Sequence, residues 1–341
     1  MINEANKKPL IILTGPTAVG KTELSIKLAK AVNGEIISAD SMQVYRHMDI
    51  GTAKIMPEEM DGVPHHLIDI LEPTKDFNVF LFQKYAKVAM NGIYGRGKIP
   101  IIVGGTGFYI QSVLYDIEFD ENTNDNNIID RNIDEISIDE SKTNNADDSY
   151  RNELTKYYEE NGALKLHELL KDVDPESYNN IHENNVKRVI RALEFYKENG
   201  YPISEHNKEQ RAKESPYNFA YFVLNQDRSI LYDRIEKRID IMINDGLLDE
   251  VRNLADQGCT PDMVSMQGLG YKEIIPYLNG ECSLEDAIYI LKRDTRHFAK
   301  RQLTWFRRER DVIWVDKDEL HGTDAQLEYM LKQLSLKHIA V

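Results

Sequence analysis

The chain has 341 residues, 41% of them hydrophobic and 29% charged, which is the balance of an ordinary globular protein with a sizeable core in one large or two unequal domains. Neither a signal peptide nor a run of about eighteen apolar residues is present, so no membrane partner is expected and the expected location is the cytoplasm. Cys259 and Cys282 lie far apart outside any C-x-x-C pairing, which argues against a disulfide framework or a zinc cage. The formal net charge of −15 by itself argues against a nucleic-acid partner.

The first third alternates short apolar runs, polar loops and helix-like stretches, the writing of an α/β unit. Leu10–Leu13, Glu35–Ala39 and Pro100–Val103 read as buried parallel strands. Each ends in polar residues: Thr14-Gly15, Asp40-Ser41 and Gly104-Gly105-Thr106. In open parallel sheets ligands sit beyond the carboxyl ends of the strands, so three segments point at one site.

The segment GPTAVGKT, Gly15–Thr22, matches G-x-x-x-x-G-K-[ST], with a strand before it and helix formers after it. Its glycines let backbone N–H groups of Gly15, Thr17, Ala18, Val19 and Gly20 turn toward a diphosphate. The following helix adds a positive dipole end. Lys21 supplies a point charge, and Thr22 offers a hydroxyl to Mg²⁺. The fold expected from these elements is a P-loop NTPase-like parallel sheet core. The loop specifies a diphosphate and does not specify ATP.

Asp40 closes the second strand in EIISADSMQVYR. Two chemical roles fit it equally: holding Mg²⁺ through water, or acting as general base to an incoming nucleophile. A helix cap is the plainer reading. The run DVIWVD, ending at Asp316, has a similar outline, but nothing else near it suggests chemistry.

From about Ile117 the strand pattern stops. Residues 118–149 carry eleven acidic side chains against Arg131 and Lys142, a net of −9, and are rich in Asn. Helical periodicity follows from Arg151 to Asn199, ended by Gly200 and Pro202. The expected division is therefore a core of residues 1–116 and 201–341, with 117–200 as an acidic linker and mainly helical insertion. Strand Phe219–Leu224 resumes the core, an amphipathic helix follows through Ile235, Ile239, Met242 and Ile243, and a further helix spans about Leu284 to Arg308. Strand Val312–Val315 precedes a helical tail. Residues 292–310 carry eight Lys or Arg against Asp294 and Glu309, a net of +6, so local patches decide the partner question. Arg293, Arg296, Lys300 and Arg307 share one helix face, flanked by Arg301 and Arg308, and form a track for phosphates beside Lys187, Arg188 and Arg191. A solvated face is the plainer reading. His65 and His66 lack a metal-ligand spacing partner and read as turn or packing residues. Tyr271 and Lys272 could touch RNA but suggest no chemistry.

The chain closely resembles the bacterial tRNA dimethylallyltransferases, also called isopentenyl-diphosphate:tRNA transferases. The resemblance rests on GPTAVGKT, DSMQVYRHMDIGTAK at 40–54, VPHHLID at 63–69, IIVGGTGFYI at 101–110, NVKRVIRALE at 185–194, GLGYKE at 268–273 and AKRQLTWFR at 299–307, in the family's order. It implies transfer of a dimethylallyl group from dimethylallyl diphosphate to the exocyclic amine of the adenosine 3′ of the anticodon. It also implies Asp40 as the base, Thr106 touching the same adenosine, and Ser41, Met42 and Gln43 reading it. Lys187 to Arg191 match a second tRNA-contacting segment, Arg228 matches a position near the diphosphate, and Arg151 is the best placed match to a tRNA-contacting arginine. The stretch 118–149 departs from the family's compact linker, and the zinc finger of eukaryotic relatives is missing. The expected cofactor is Mg²⁺ and the expected state a monomer. The rivals are an adenylate isopentenyltransferase acting on free nucleotide and a P-loop small-molecule kinase. A GTP-binding switch would need an N-K-x-D motif that the chain lacks.

Overall fold

The structure is a computed structural model that describes residues 7–119 and 148–339. The first unit begins with β1 (Lys8–Thr14), α1 (Lys21–Ala31), β2 (Gly34–Ala39), β3 (His65–His66), α2 (Val79–Gly95), β4 (Ile99–Gly104) and α3 (Gly107–Leu114). The chain then builds a second unit from α4 (Asp148–Glu168), α5 (Leu170–Val173), α6 (Pro175–Asn180), α7 (Val186–Asn199) and α8 (Ile203–Ala212). It returns to the first with β5 (Tyr217–Asn225), α9 (Arg228–Asn244), α10 (Leu247–Asp256), α11 (Ile275–Leu278), α12 (Leu284–Phe306), β6 (Val312–Asp316) and α13 (Thr323–Leu336).

The six strands are all parallel, in the order β3-β2-β4-β1-β5-β6. Leu10, Ile11, Ile12 and Leu13 are fully buried, as helices on both faces require. Burial contributes about 1.5–3 kcal/mol for each such side chain. From β1 the chain crosses outward to β2, and after β4 it crosses the other way to β5. With right-handed crossovers this reversal places the topological switch between β1 and β4, whose carboxyl ends form a crevice. Thr14 Oγ1 donates to the Gly104 carbonyl (2.6 Å) and fastens the two strands at that point. The parallel order and the loop-bearing β1 make this the P-loop NTPase-like α/β core.

Strand β3 is two residues long and went unread because VPHHLID contains no apolar run. His65 Nδ1 bonds the Val63 carbonyl (2.8 Å), and His66 Nε2 bonds Glu35 (2.8 Å), so both histidines serve packing.

The units divide at Asp116/Ile117 and Glu214/Ser215. Residues 201–214, expected with the core, belong instead to the helical unit. The αL turn at Gly200 ends α7 but leads directly into α8. There Ser204 N and Oγ donate to the Asp174 carboxylate (3.1 and 2.7 Å). Asp174 also caps α6 through Ser177, and these bonds outweigh its burial and lower its pKa. Leu154, Leu166, Leu170, Val189, Ile190 and Leu193 form this unit's own core. Of the acidic stretch, residues 120–147 lie outside the described residues.

Candidate functional site at the carboxyl ends of the strands

The loop after β1 is shaped by backbone that few residues adopt. Gly15 (φ 148°) and Gly20 (φ 91°) take positive φ, and so does Ala18 (φ 62°). Gly20 N-caps α1 without a side-chain cap, leaving the first N–H groups of the helix for a ligand. No protein acceptor takes the N–H groups of Ala18, Gly20, Lys21 or Thr22 among the described residues. The Thr17 N–H is different: it donates to Gln302 Oε1 (2.9 Å), while Gln302 Nε2 donates to the Gly105 carbonyl (3.0 Å). Gln302, on α12, therefore braces the P-loop against the end of β4. A Cβ on Gly105 would stand 2.1 Å from that amide nitrogen, so any larger residue there would push the Gln302 amide off this bond.

Lys21 Nζ folds back to the carbonyls of Gly15 and Pro16 (3.0 and 2.9 Å). Burial, then the Arg238 guanidinium, lower its pKa to about 8, and Asp40 opposes them. Arg238, on α9, is itself lowered by burial and held up by Asp40. Lys21, Arg238 and Asp40 thus lie within electrostatic reach of one another. Arg234, one turn earlier on α9, brings NH1 to 3.9 Å from where a Gly20 Cβ would stand.

Asp40 is partly exposed and accepts the Met42 N–H (2.9 Å) in a turn; no helix begins there, so the plainer reading as a helix cap is not realised. Thr106 N bonds the Ala39 carbonyl (3.2 Å), which brings the ends of β2 and β4 together. Thr106 precedes α3 and makes no side-chain cap bond. Ser41 and Met42 are partly exposed. Gln43 faces inward: its Nε2 donates to the carbonyls of Thr52 and Ala53 (both 3.3 Å), and its Oε1 accepts from Ser38 (3.1 Å). Its amide shapes the loop.

Arg228 begins α9 but is exposed, with Nε bonded to Tyr232 OH (2.8 Å) and its guanidinium over that ring. The guanidinium groups of α9 near the cradle belong to Arg234 and Arg238, at the helical spacing of four. In the sequence both are hidden among the other charges of RIEKR. Gln302 lies within AKRQLTWFR, where a lone amide carries no spacing signal.

The basic positions divide. Lys187 and Arg188 are exposed on α7 with no acidic partner among the described residues, and Arg191 makes a long contact with Glu198 (3.7 Å). Arg151 is committed to a bidentate pair with Glu194 (2.7 and 2.8 Å) and braces α4 on α7. Lys300 and Arg301 on α12, and Arg307 and Arg308 just past its end, are exposed. Arg296 instead reaches Glu236 on α9 (2.5 Å), Lys292 reaches Asp240 (2.6 Å), and Arg293 pairs with Asp294 (2.7 Å). The expected single stripe is split because its first turns pack on another helix. Tyr271, considered for RNA, is fully buried and donates to Glu250 (2.7 Å).

The IPP transferase family model matches residues 43–309, and the isopentenyl transferase model matches residues 8–70. A tRNA dimethylallyltransferase of Lachnoclostridium phytofermentans is 58% identical over 97% of this chain and 99% of its own. The solved full-length tRNA isopentenylpyrophosphate transferase from Bacillus halodurans is 43% identical, with TM-score 0.68 over 97% of each chain. A eukaryotic dimethylallyltransferase acting on tRNA is 28% identical, with TM-score 0.77 over 97% of this chain and 79% of its own. By sequence across nearly its whole length and by fold, this chain belongs to the tRNA dimethylallyltransferase family.

Proposed function

We propose that the enzyme transfers the dimethylallyl group of dimethylallyl diphosphate to the exocyclic amine of the adenosine 3′ of the anticodon in tRNA, releasing diphosphate. The observation that carries this reading is one crevice holding both a diphosphate cradle and a carboxylate. The free amides of Ala18, Gly20, Lys21 and Thr22 and the cations Lys21 and Arg238 stand beside Asp40. In the reaction the bond between the allylic carbon and the bridging oxygen breaks, and its electron pair leaves on diphosphate. Amides and cations already aimed at that charge stabilise it without reorganisation. Lys21 exchanges the Gly15 and Pro16 carbonyls for phosphate oxygens. As the new carbon–nitrogen bond forms, the amine proton passes to Asp40, and Thr106 positions the base.

Mg²⁺ suits the donor set. It takes oxygen ligands and relies on substrate phosphates with one or two protein groups. No group of three acidic, His or Cys side chains stands ready to hold a metal among the described residues, but the exposed Thr22 hydroxyl has no protein acceptor there. Thr22 would hold Mg²⁺ against the diphosphate. When bound, the ion neutralises charge on the leaving group.

The acceptor base must leave its stack to reach the crevice, which suits a loop nucleotide. Phosphate contacts from Lys187, Arg188 and Arg191, and from Lys300 with its exposed neighbours, position the RNA, while the Asp40–Gln43 loop and Thr106 select the base. The enzyme works in the cytoplasm, as a monomer.

Incubation with labelled dimethylallyl diphosphate or labelled ATP, each with and without unmodified tRNA, tests the proposal. Label entering tRNA only from the prenyl donor is expected. Label entering free adenine nucleotide instead, or phosphoryl transfer from ATP to a small molecule, would overturn it.

A further inference from the structure

The run ending at Asp316 suggested no chemistry by itself, but its next residue reaches the P-loop. Lys317 Nζ donates to the Val19 carbonyl (2.8 Å) and stands 3.0 Å from where a Gly20 Cβ would lie. The turn carrying it is fixed in place. Lys317 N donates to the Asn225 carbonyl (3.0 Å), Asn225 Nδ2 donates to Asp316 (3.2 Å), and the Asp227 N–H donates to Asp318 (2.5 Å). Three consecutive residues thus lock the end of β6 to the β5–α9 connection, and the lysine projects from a rigid base.

The contact matters through peptide geometry. In a planar trans peptide the C=O and N–H point in opposite directions. Holding the Val19 carbonyl therefore fixes the Gly20 N–H of the same peptide unit away from Lys317. That N–H has no protein acceptor among the described residues. We propose that Lys317 is a positioning residue of the diphosphate cradle: its ammonium anchors the Val19 carbonyl so that the Gly20 N–H is presented to the donor's phosphates. Its charge, with that of Arg234, adds to the positive field over the loop. Burial and the neighbouring Arg234 lower the Lys317 pKa, the signature of a cation held for a local purpose at an energetic cost.

The inference rests on reading the loop as a diphosphate cradle, and calorimetric titration of inorganic pyrophosphate into the full-length enzyme separates the two. Wild type is expected to bind. Lys317→Met, which keeps the stem and removes the donor, is expected to bind about tenfold more weakly, the scale of one charge-assisted hydrogen bond. Lys317→Arg should recover to within about threefold. In turnover, Lys317→Met should raise the donor KM about tenfold with kcat changed far less and the tRNA KM unmoved. No binding by wild type would sink the cradle and the proposal together. Equal binding by wild type and Lys317→Met would leave the cradle standing and remove Lys317 from it. An Arg variant as weak as the Met variant, or a matched fall in kcat with donor KM unchanged, would also contradict the role.

Discussion

The proposed roles of Lys21 and Asp40 each predict something separate. If Asp40 accepts the amine proton as the new bond forms, Asp40→Ala should cut turnover by about 100-fold or more while pyrophosphate binding stays near wild type. An equal loss of pyrophosphate affinity, measured by calorimetry, would assign the carboxylate to metal instead. Lys21, in the proposed role, would hold the ligand through its charge. Since burial and Arg238 bring its pKa to about 8, the cation is present below that pH and is lost as pH rises through it. Bound diphosphate favours the charged form, so donor affinity should be flat below pH 8 and fall above it. Titrations at pH 7 and pH 9 check this, and a Lys21→Arg variant, charged throughout, should flatten the profile.

Among the elements, the loop between β2 and β3 depends on one distant carboxylate. Glu250, on α10, accepts the N–H groups of Asp49, Ile50 and Gly51 (2.8, 2.7 and 3.0 Å) and the Tyr271 hydroxyl. Buried Lys54, in the same loop, ties Asp49 to Asp69 just beyond β3 (2.6 and 2.5 Å). Glu250→Ala strands four donors, and a loss of about 3 kcal/mol in urea-melt stability is expected, together with weaker use of tRNA. On β2, burial pushes Glu35 up, but bonds from Arg96, His66 and Lys98 outweigh it and bring its pKa to about 2. The resulting stability is present above the unfolded carboxylate value near 4.5 and is lost as pH falls toward 2. Glu35→Gln should therefore show a shallower acid-unfolding slope in that window.

These same elements explain what was legible in the sequence. The long strands announced themselves, because a parallel strand buried on both faces must be apolar throughout, and Leu10–Leu13 is written that way. GPTAVGKT was legible because positive φ and close approach leave few residue choices. Contacts between distant segments were not legible. Glu250 lies 199 residues from Gly51, and Lys317 lies 298 from Val19. Only the sheet order brings such partners together, and periodicity carries no trace of them. The basic stripe of α12 misled for the same reason: spacing gives a shared face but does not say which turns of it meet α9.

Over the whole molecule, the net charge of −15 hides separate basic surfaces in each unit. If α7 contacts tRNA phosphates through Lys187 and Arg188, then reversing both to Glu should weaken tRNA binding across sequences and lower its salt-dependence slope by about two, leaving the donor KM alone. Filter binding from low to moderate salt checks this, and an unchanged slope would move the RNA elsewhere. Mass spectrometry of nucleosides from tRNA incubated with enzyme, Mg²⁺ and dimethylallyl diphosphate should find one dimethylallyl unit on the amine of the adenosine 3′ of the anticodon, with one diphosphate released per unit. Unaltered adenosine there, or a prenyl group appearing only on free nucleotide, would contradict the account.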